Sequence, residues 1–238
     1  MWVKICGNTN LEDAALAAEL GADAVGFVFA ASKRQVRAAQ VAAITARLPA
    51  AVERVGVFDS HDAEEIAATA QAAGLTAVQL HGGFDEALLK RLAERFANDA
   101  QGIRIIQTLH WSVGGQTPNG ARASATESSA ELLADQMERV AAIGVADRVL
   151  IDSGVGVVSG GTGVAFDWAA ALKLFAAAPS GVRLVVAGGL TPENVAQAIG
   201  QLAPWGVDVS SGVEASAGRK DPNRLARFID HARVTSTA

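Results

Sequence analysis

The sequence predicts an α/β protein built as a single (β/α)8 (TIM) barrel, and three observations lead to that fold. Short apolar strand patterns alternate with helical patterns along the chain, making eight βα units. The strands are almost entirely apolar, as expected for parallel strands covered on both faces. Eight right-handed crossovers close into a barrel of about 250 residues, which fits a chain of 238 residues.

The predicted elements follow in order. The strands are Val3–Cys6, Ala24–Phe29, Val52–Phe58, Thr76–Leu80, Ile103–Thr108, Arg148–Ile151, Arg183–Val186 and Val207–Val209. The helices are Leu11–Leu20, Arg37–Leu48, His61–Ala73, Phe84–Ala97, Glu131–Ile143, Asp167–Ala177, Pro192–Leu202 and Pro222–Ala232. Asn10 and Ser60 are suitable N-caps, and Pro192 stands at a first turn, where proline is tolerated.

Glycines separate several helices from the next strand. Gly21, Gly74, Gly144 and Gly206 each lie between a helix and a strand, where we expect left-handed caps. An open doubly wound sheet is the alternative fold. It usually carries a G-x-G-x-x-G turn after its first strand, and the run beginning at Gly7 is not one.

We expect residues 1–238 to form one domain. Gly114–Ser129 is rich in Gly, Ser, Thr and Ala and predicts a flexible loop, and Val234–Ala238 predicts a frayed tail. The segment Ser159–Gly163 resembles a phosphate cradle without the P-loop lysine, and we interpret it as a mobile loop over the site.

Composition limits the classes of partner and location. With 20 basic and 25 acidic residues the net charge is −5, which disfavours nucleic-acid or anionic membrane surfaces. A single cysteine excludes an intrachain disulfide and fits a reducing cytoplasm. No leader pattern and no apolar run of about 18 residues is present, so we expect no secretion and no membrane span.

Cys6 ends the first strand, just before Gly7 and a polar turn. In βα barrels the strand tips carry the active site, so this thiol is a candidate nucleophile or base. A small buried hydrophobe is the alternative interpretation.

The clearest chemical signal is a phosphate site after the last two strands. Gly188 and Gly189 follow the seventh strand, and Ser210, Ser211 and Gly212 follow the eighth. Glycines let backbone N–H groups approach an anion, and a short helix starting near Ser211 would point its positive end at the same place. Barrels often bind phosphate at these loops, although the glycines are also explained by turns alone.

Polar residues at other strand tips complete the candidate set. Asp152 ends the sixth strand, three strands from Cys6 around the ring, so the two residues can flank a ligand whose phosphate lies between them and can act as an acid and base pair. Arg34 follows the second strand, and its planar guanidinium could bind a substrate carboxylate. A solvated basic turn is the alternative interpretation.

His81 closes the fourth strand. It either contacts a ligand or has a purely structural role. His61, His110 and His231 show no spacing that suggests a metal cage.

These residues together resemble the phosphoribosylanthranilate isomerase family of tryptophan biosynthesis. The matching runs cover nearly the whole chain in order: Lys4–Gly7, Gly21–Phe29, Ser32–Arg34, Arg54–Phe58, Val78–Gly82, Gly160–Gly163 with Phe166–Trp168, Ala187–Asn194 and Val207–Glu214. Asn8 departs from the family, which usually has an aliphatic residue there.

The resemblance implies a cofactor-free and metal-free Amadori rearrangement of N-(5′-phosphoribosyl)anthranilate. It implies Asp152 as general acid and Cys6 as general base, and Arg34 facing the anthranilate carboxylate. Gly188, Gly189, Ser210, Ser211 and Gly212 would hold the phosphate. His81 and Asp208 would contact sugar hydroxyls or position other groups. The implied partner is a small phosphosugar, and the protein is expected to be a monomer or homodimer in the cytoplasm.

Two other functions stay open at this point. The histidine-pathway aminoaldose isomerase, or a dual-specificity relative, performs the same rearrangement, but that family has Asp at the first strand tip. A non-catalytic phosphosugar-binding barrel is the second. Strand alternation also puts Lys4 on the same face as Cys6, and we expect Lys4 or the field of the barrel to lower the pKa of the thiol.

Overall fold

The computed structural model describes residues 1–97, 102–111, 129–152 and 168–234. Within these ranges eight parallel strands close into a barrel in chain order, with β1 paired to both β2 and β8. The barrel strands are β1 (Trp2–Ile5), β2 (Ala24–Val28), β3 (Glu53–Phe58), β4 (Ala77–Leu80), β5 (Arg104–His110), β6 (Ala146–Asp152), β7 (Arg183–Ala187) and β8 (Gly206–Val209). The predicted fold class is therefore confirmed.

A helix follows each barrel strand. The helices are α1 (Leu11–Glu19), α2 (Ala38–Thr45), α3 (Ala63–Ala72), α4 (Glu86–Ala97), α5 (Ser129–Ile143), α6 (Trp168–Ala176), α7 (Val195–Leu202) and α8 (Pro222–Val234). Between β8 and α8 lies a 3₁₀ turn, Ser211–Val213, where the sequence predicts a short helix. It is followed by a small antiparallel pair, β9 (Glu214–Ser216) and β10 (Arg219–Lys220), and the sequence did not predict this pair. No described helix is long and apolar enough to cross a bilayer.

Some predictions fall outside the described residues. The loop at 114–129, except for residue 129 at the start of α5, and the segment 159–163 are among them. So is the tail from 235 onward, whereas residue 234 ends α8.

Two of the helices that begin later than predicted do so for identifiable and different reasons, a side-chain cap in α3 and a turn before α7. Asp62, not Ser60, caps α3, since its carboxylate accepts hydrogen bonds from the N–H groups of Glu64 (2.9 Å) and Glu65 (3.2 Å). The helix predicted from Pro192 begins only at Val195. There the amide oxygen of Asn194 accepts the Thr191 N–H at 2.7 Å and keeps this segment in a turn.

The left-handed glycine caps are present at three of the four predicted positions: Gly21, Gly74 and Gly144 have φ of 95°, 62° and 70°. At the fourth, the left-handed residue after α7 is Ala203, with φ of 44°. Gly206 instead begins β8, where a Cβ would lie 2.8 Å from the Trp2 ring. Close packing, rather than a turn, requires glycine there.

The interior of the barrel is narrow and is filled mainly by small and branched side chains. Seven buried residues of β2 to β7 form this inner cluster, with Trp2 and Trp205 packed against it. The two indole rings stack at 5.4 Å between centroids. Beside them the buried Arg148 forms two hydrogen bonds with Glu53, at 2.6 and 2.8 Å. The larger hydrophobic core lies between the strands and the helices.

Candidate active site

Cys6 lies directly after β1, at the end of the barrel where the strands terminate. Its N–H donates to the Val209 carbonyl of β8 at 2.7 Å, which fixes the strand tip. The residue is only 7% exposed. A Cβ at Gly26 of β2 would lie 2.8 Å from Cys6 Sγ and 3.0 Å from Lys4 Cε, so glycine at 26 gives both side chains room over the neighbouring strand.

A buried ion pair lies beside the thiol. Lys4 Nζ is 3.0 Å from Asp208 Oδ1, and the Lys4 side chain is fully buried. Burial alone would lower the pKa of Lys4, but Asp208 and Cys6 outweigh it and the pKa is raised. The ammonium group is therefore charged next to Cys6.

Lys4 acts on the thiol pKa in the expected direction, but the pKa of Cys6 is nevertheless raised overall. Burial raises the pKa of Cys6, and Asp208 adds to this effect. Lys4 and Lys220 act in the opposite direction, as expected for cations, without cancelling the desolvation. Burial at the strand tip therefore keeps the thiol mostly protonated near neutral pH.

Asp152 is the last residue of β6, at the same end of the barrel. In the strand register it is opposite His110 of β5. One ligand atom each of His81, His110 and Asp152 lies within 4.8 Å of the others. Asp152 and Asp208 act to raise the pKa of His81 and Lys4 acts to lower it, so all three charges lie within electrostatic range of this ring.

The two histidines hold each other in place. The ring Nε2 of His110 lies 2.8 Å from the His81 carbonyl oxygen, which requires the protonated, donating form of that nitrogen. The rings meet edge to face at 4.7 Å. Burial lowers the pKa of His81, and His110 lowers it further, so His81 is neutral near pH 7. His110, for which the sequence suggested no carboxylate neighbour, is therefore part of the surroundings of Asp152.

The two predicted phosphate turns meet at Gly212. A Cβ there would lie 1.8 Å from the Leu190 carbonyl oxygen, so the turn after β8 is in direct contact with the turn after β7. Asn194 Nδ2 donates to the Gly189 carbonyl at 2.9 Å and supports the first turn. Gly188, with φ of 90°, precedes it in the same turn. A cleft of about 430 Å³ is lined by Gly189, Ser211, Gly212 and the cationic Arg224, among others.

Arg34 reaches the site over Gly7. A Cβ at Gly7 would lie 2.7 Å from both Arg34 Cδ and Ser210 Oγ. These contacts bring Arg34, the residue after Cys6 and the start of the turn after β8 together. Arg34 is held by Glu214, whose Oε1 and Oε2 accept from Nε and Nη2 at 2.8 and 2.6 Å.

Two residues at this end were not identified from the sequence. Glu214 stood in a motif without an assigned role, and Lys220 gave no signal. Lys220 Nζ contacts the Cys6 carbonyl oxygen at 2.5 Å and Glu214 Oε1 at 3.2 Å. Only the fold brings Lys220 to Cys6, since 214 positions separate them in sequence.

Comparison with known proteins gives one consistent result. Residues 3–111 and 116–231 match the family described as N-(5'phosphoribosyl)anthranilate (PRA) isomerase. The N-(5'-phosphoribosyl)anthranilate isomerase of Pelobacter propionicus is 41% identical over 236 residues, covering 98% of this chain and 96% of the relative.

Solved structures agree with this match. The phosphoribosyl anthranilate isomerase of Thermotoga maritima is 38% identical with a TM-score of 0.75, covering 98% of this chain and 99% of the other. A structure of phosphoribosyl anthranilate isomerase in complex with reduced 1-(o-carboxyphenylamino)-1-deoxyribulose 5-phosphate is 36% identical, with a TM-score of 0.74 and the same coverage.

Proposed function

This chain belongs to the family of N-(5′-phosphoribosyl)anthranilate isomerases, and we propose that it catalyses their rearrangement with Cys6 as general base and Asp152 as general acid. It is an isomerase of tryptophan biosynthesis. The substrate is N-(5′-phosphoribosyl)anthranilate, and the product is 1-(2-carboxyphenylamino)-1-deoxyribulose 5-phosphate. We further propose a cytoplasmic monomer or homodimer.

The reaction begins with a proton from Asp152 to the furanose ring oxygen. The bond from C1′ to that oxygen breaks, and the ring opens to a cationic Schiff base, with the ring oxygen becoming a hydroxyl. The cation acidifies the C2′–H bond, and the Cys6 thiolate removes this proton to give an enolamine. In the last step O2′ loses a proton and C1′ gains one, so substrate and product contain the same atoms.

The electrostatics around Cys6 suit a base of this kind. Burial raises the pKa of the thiol, so the thiolate is a minor form near neutral pH but a strong base when present. The charged Lys4, which is paired with Asp208, favours the thiolate electrostatically and does not itself transfer a proton. Because the reaction requires the Cys6 thiolate and a proton on Asp152 at the same time, the pH profile of kcat/KM should have two limbs, one of which reports the ionisation of the thiol.

Binding of the substrate uses its two anionic ends. Gly188, Gly189, Ser210, Ser211 and Gly212 hold the phosphate between the turns after β7 and β8, and Arg34 binds the anthranilate carboxylate. His81, neutral because of burial, offers a ring nitrogen to a sugar hydroxyl. A relative 36% identical is in complex with the reduced form of this product, which supports a phosphosugar bearing a carboxyphenylamino group as ligand.

The single observation that carries the proposal is the shared location of acid and base. Cys6 follows β1 and Asp152 ends β6, both at the C-terminal end of a closed parallel barrel. Catalysis in such barrels takes place at this end.

A turnover assay with two substrates tests the proposal. Anthranilate-ribotide consumption, followed by fluorescence, is expected for the native protein, whereas the aminoaldose of the histidine pathway is expected to stay unchanged. Turnover of the second substrate alone would assign the chain to the rival rearrangement. No turnover of either, with tight binding of the phosphosugar, would make it a binding protein.

A further inference from the structure

An ion cluster lies at the edge of the proposed site, with two of its side chains buried and the third, that of Arg34, 25% exposed, and it takes no part in the proton transfers. It consists of Glu214, Arg34 and Lys220, from β9, the segment after β2, and β10 respectively. The side chain of Glu214 is 4% exposed and that of Lys220 is fully buried. Burying charges is costly unless each finds partners, so the purpose of this cluster requires an explanation.

Glu214 accepts four hydrogen bonds. Oε2 accepts from Arg34 Nη2, and Oε1 accepts from Arg34 Nε, from Lys220 Nζ at 3.2 Å and from the Gly218 N–H at 3.3 Å. Burial alone would raise the pKa of Glu214, but Arg34 and Lys220 outweigh it and the pKa is lowered. The carboxylate is therefore charged at neutral pH and is the common anchor of two cations.

The pairing with Glu214 fixes the plane of the Arg34 guanidinium. Two parallel hydrogen bonds define both the position and the orientation of this planar group. They use Nε and Nη2, so Nη1 takes no part in the contacts with Glu214. Two cations and one anion leave the cluster with a net charge of +1 for an incoming carboxylate.

Lys220 connects Glu214 to the backbone of Cys6, the proposed base. Its ammonium group contacts the carbonyl oxygens of Cys6, at 2.5 Å, and Ser210, at 3.2 Å, besides Glu214. Cys6 follows β1, and Ser210 begins the turn proposed to bind phosphate. The ammonium group thus bridges the tip of β1, the turn after β8 and the anchor of Arg34.

We propose that Glu214 is a positioning residue that sets the orientation of Arg34 and so determines the preference for a carboxylate on the aromatic ring of the substrate. This inference rests on the proposed function, in which Arg34 binds that carboxylate. In this proposal Glu214 acts through Arg34 rather than on the substrate itself. Its contribution depends on the carboxylate of the ligand, which separates it from a residue that only stabilises the fold.

The test compares two ligands. One is reduced 1-(o-carboxyphenylamino)-1-deoxyribulose 5-phosphate, and the other is the phenylamino analogue without the carboxylate. Dissociation constants are measured by calorimetry for the wild type, Glu214→Gln and Glu214→Asp. Glutamine keeps the volume but replaces one accepting oxygen by a donating NH₂, which cannot pair with Arg34 or Lys220. Aspartate keeps the charge but is one methylene shorter.

The carboxylated ligand should bind about tenfold or more weakly to Glu214→Gln, while the analogue should change by less than about twofold. Glu214→Asp should show a smaller loss of affinity, again confined to the carboxylated ligand. This variant provides the test if Glu214→Gln does not fold. The matched control is Glu12→Gln, which removes an exposed carboxylate paired with Arg219 at 3.0 Å and should leave both constants unchanged.

Equal weakening of both ligands in both Glu214 variants would overturn the proposal and make Glu214 a residue of stability alone. Unchanged binding of both ligands would overturn it as well. If the wild type itself binds the two ligands equally, the role of Arg34 in the proposed function is wrong, and the inference about Glu214 is overturned with it. Only this last outcome affects the proposed function.

Discussion

The contact between the two phosphate turns can be broken by one methyl group, in Gly212→Ala. The added Cβ would lie 1.8 Å from the Leu190 carbonyl oxygen, while real Cβ contacts are essentially never shorter than 3.0 Å. The two turns must therefore separate by at least about 1.2 Å. A displacement of about 1 Å in binding groups can reduce activity about 100-fold, and we expect a loss of about this size in kcat/KM.

The loss should be mainly in KM, because the phosphate is held equally in the ground state and the transition state. Overpacking of this kind costs about 1–3 kcal/mol of stability. The variant should therefore still fold but unfold at a lower temperature than the wild type. Steady-state kinetics by fluorescence and thermal unfolding measure the two effects. A variant with wild-type KM and normal stability would refute the proposed contact between the turns and its role in phosphate binding.

Gly200→Ala is the matched control for this experiment. Gly200 lies within α7, and a Cβ there would meet nothing within 4 Å. Alanine is favoured over glycine inside a helix by about 1 kcal/mol. The control should therefore keep the wild-type kcat and KM and unfold at a slightly higher temperature.

Two further predictions concern buried charges. Lys4→Met should raise the pKa of the Cys6 thiol further, because the cation that favours the thiolate is lost. The limb of the kcat/KM pH profile that reports this thiol should therefore move to higher pH. An unchanged thiol titration by ultraviolet absorbance would show that Lys4 does not affect the thiol. Glu53→Gln should lower the free energy of unfolding in urea by about 3–5 kcal/mol, because it disrupts the pairing of Arg148, a residue only 1% exposed. Removing the exposed carboxylate of Glu12 should cost less than about 1 kcal/mol. Equal losses of unfolding free energy in the Glu53 and Glu12 variants would show that the buried pair contributes no more to stability than the exposed one.

The fold could be predicted because its causes are local and periodic. The same unit repeats along the chain: an apolar strand, a helix and often a glycine, such as Gly21 or Gly74, before the next strand. Because parallel βαβ connections are right-handed, eight such units close into a barrel. Cys6 and Asp152 could be identified for a related reason. Both stand at strand tips, and the barrel brings all strand tips to one end.

The rest depends on side chains that meet only after folding. Lys220 and Glu214 lie in a hairpin that no periodicity predicted, and their partners Cys6 and Arg34 are far away in sequence. The net direction of the Cys6 pKa was also beyond the sequence, because it is set by the balance between burial and the charge of Lys4. The sequence identifies Lys4 as the cation beside the thiol, but only the structure shows how deeply Cys6 is buried.

The central claim, a proton taken by Cys6 and given by Asp152 in one site, is tested most directly by Cys6→Ala and Asp152→Asn. Turnover of anthranilate ribotide and binding of the reduced product are measured on the same samples. Each variant should lose at least about 100-fold in kcat, the smallest contribution usual for general acid–base catalysis, while binding the reduced product within a few fold of the wild type. Wild-type turnover in Cys6→Ala or Asp152→Asn would contradict the assignment of that residue.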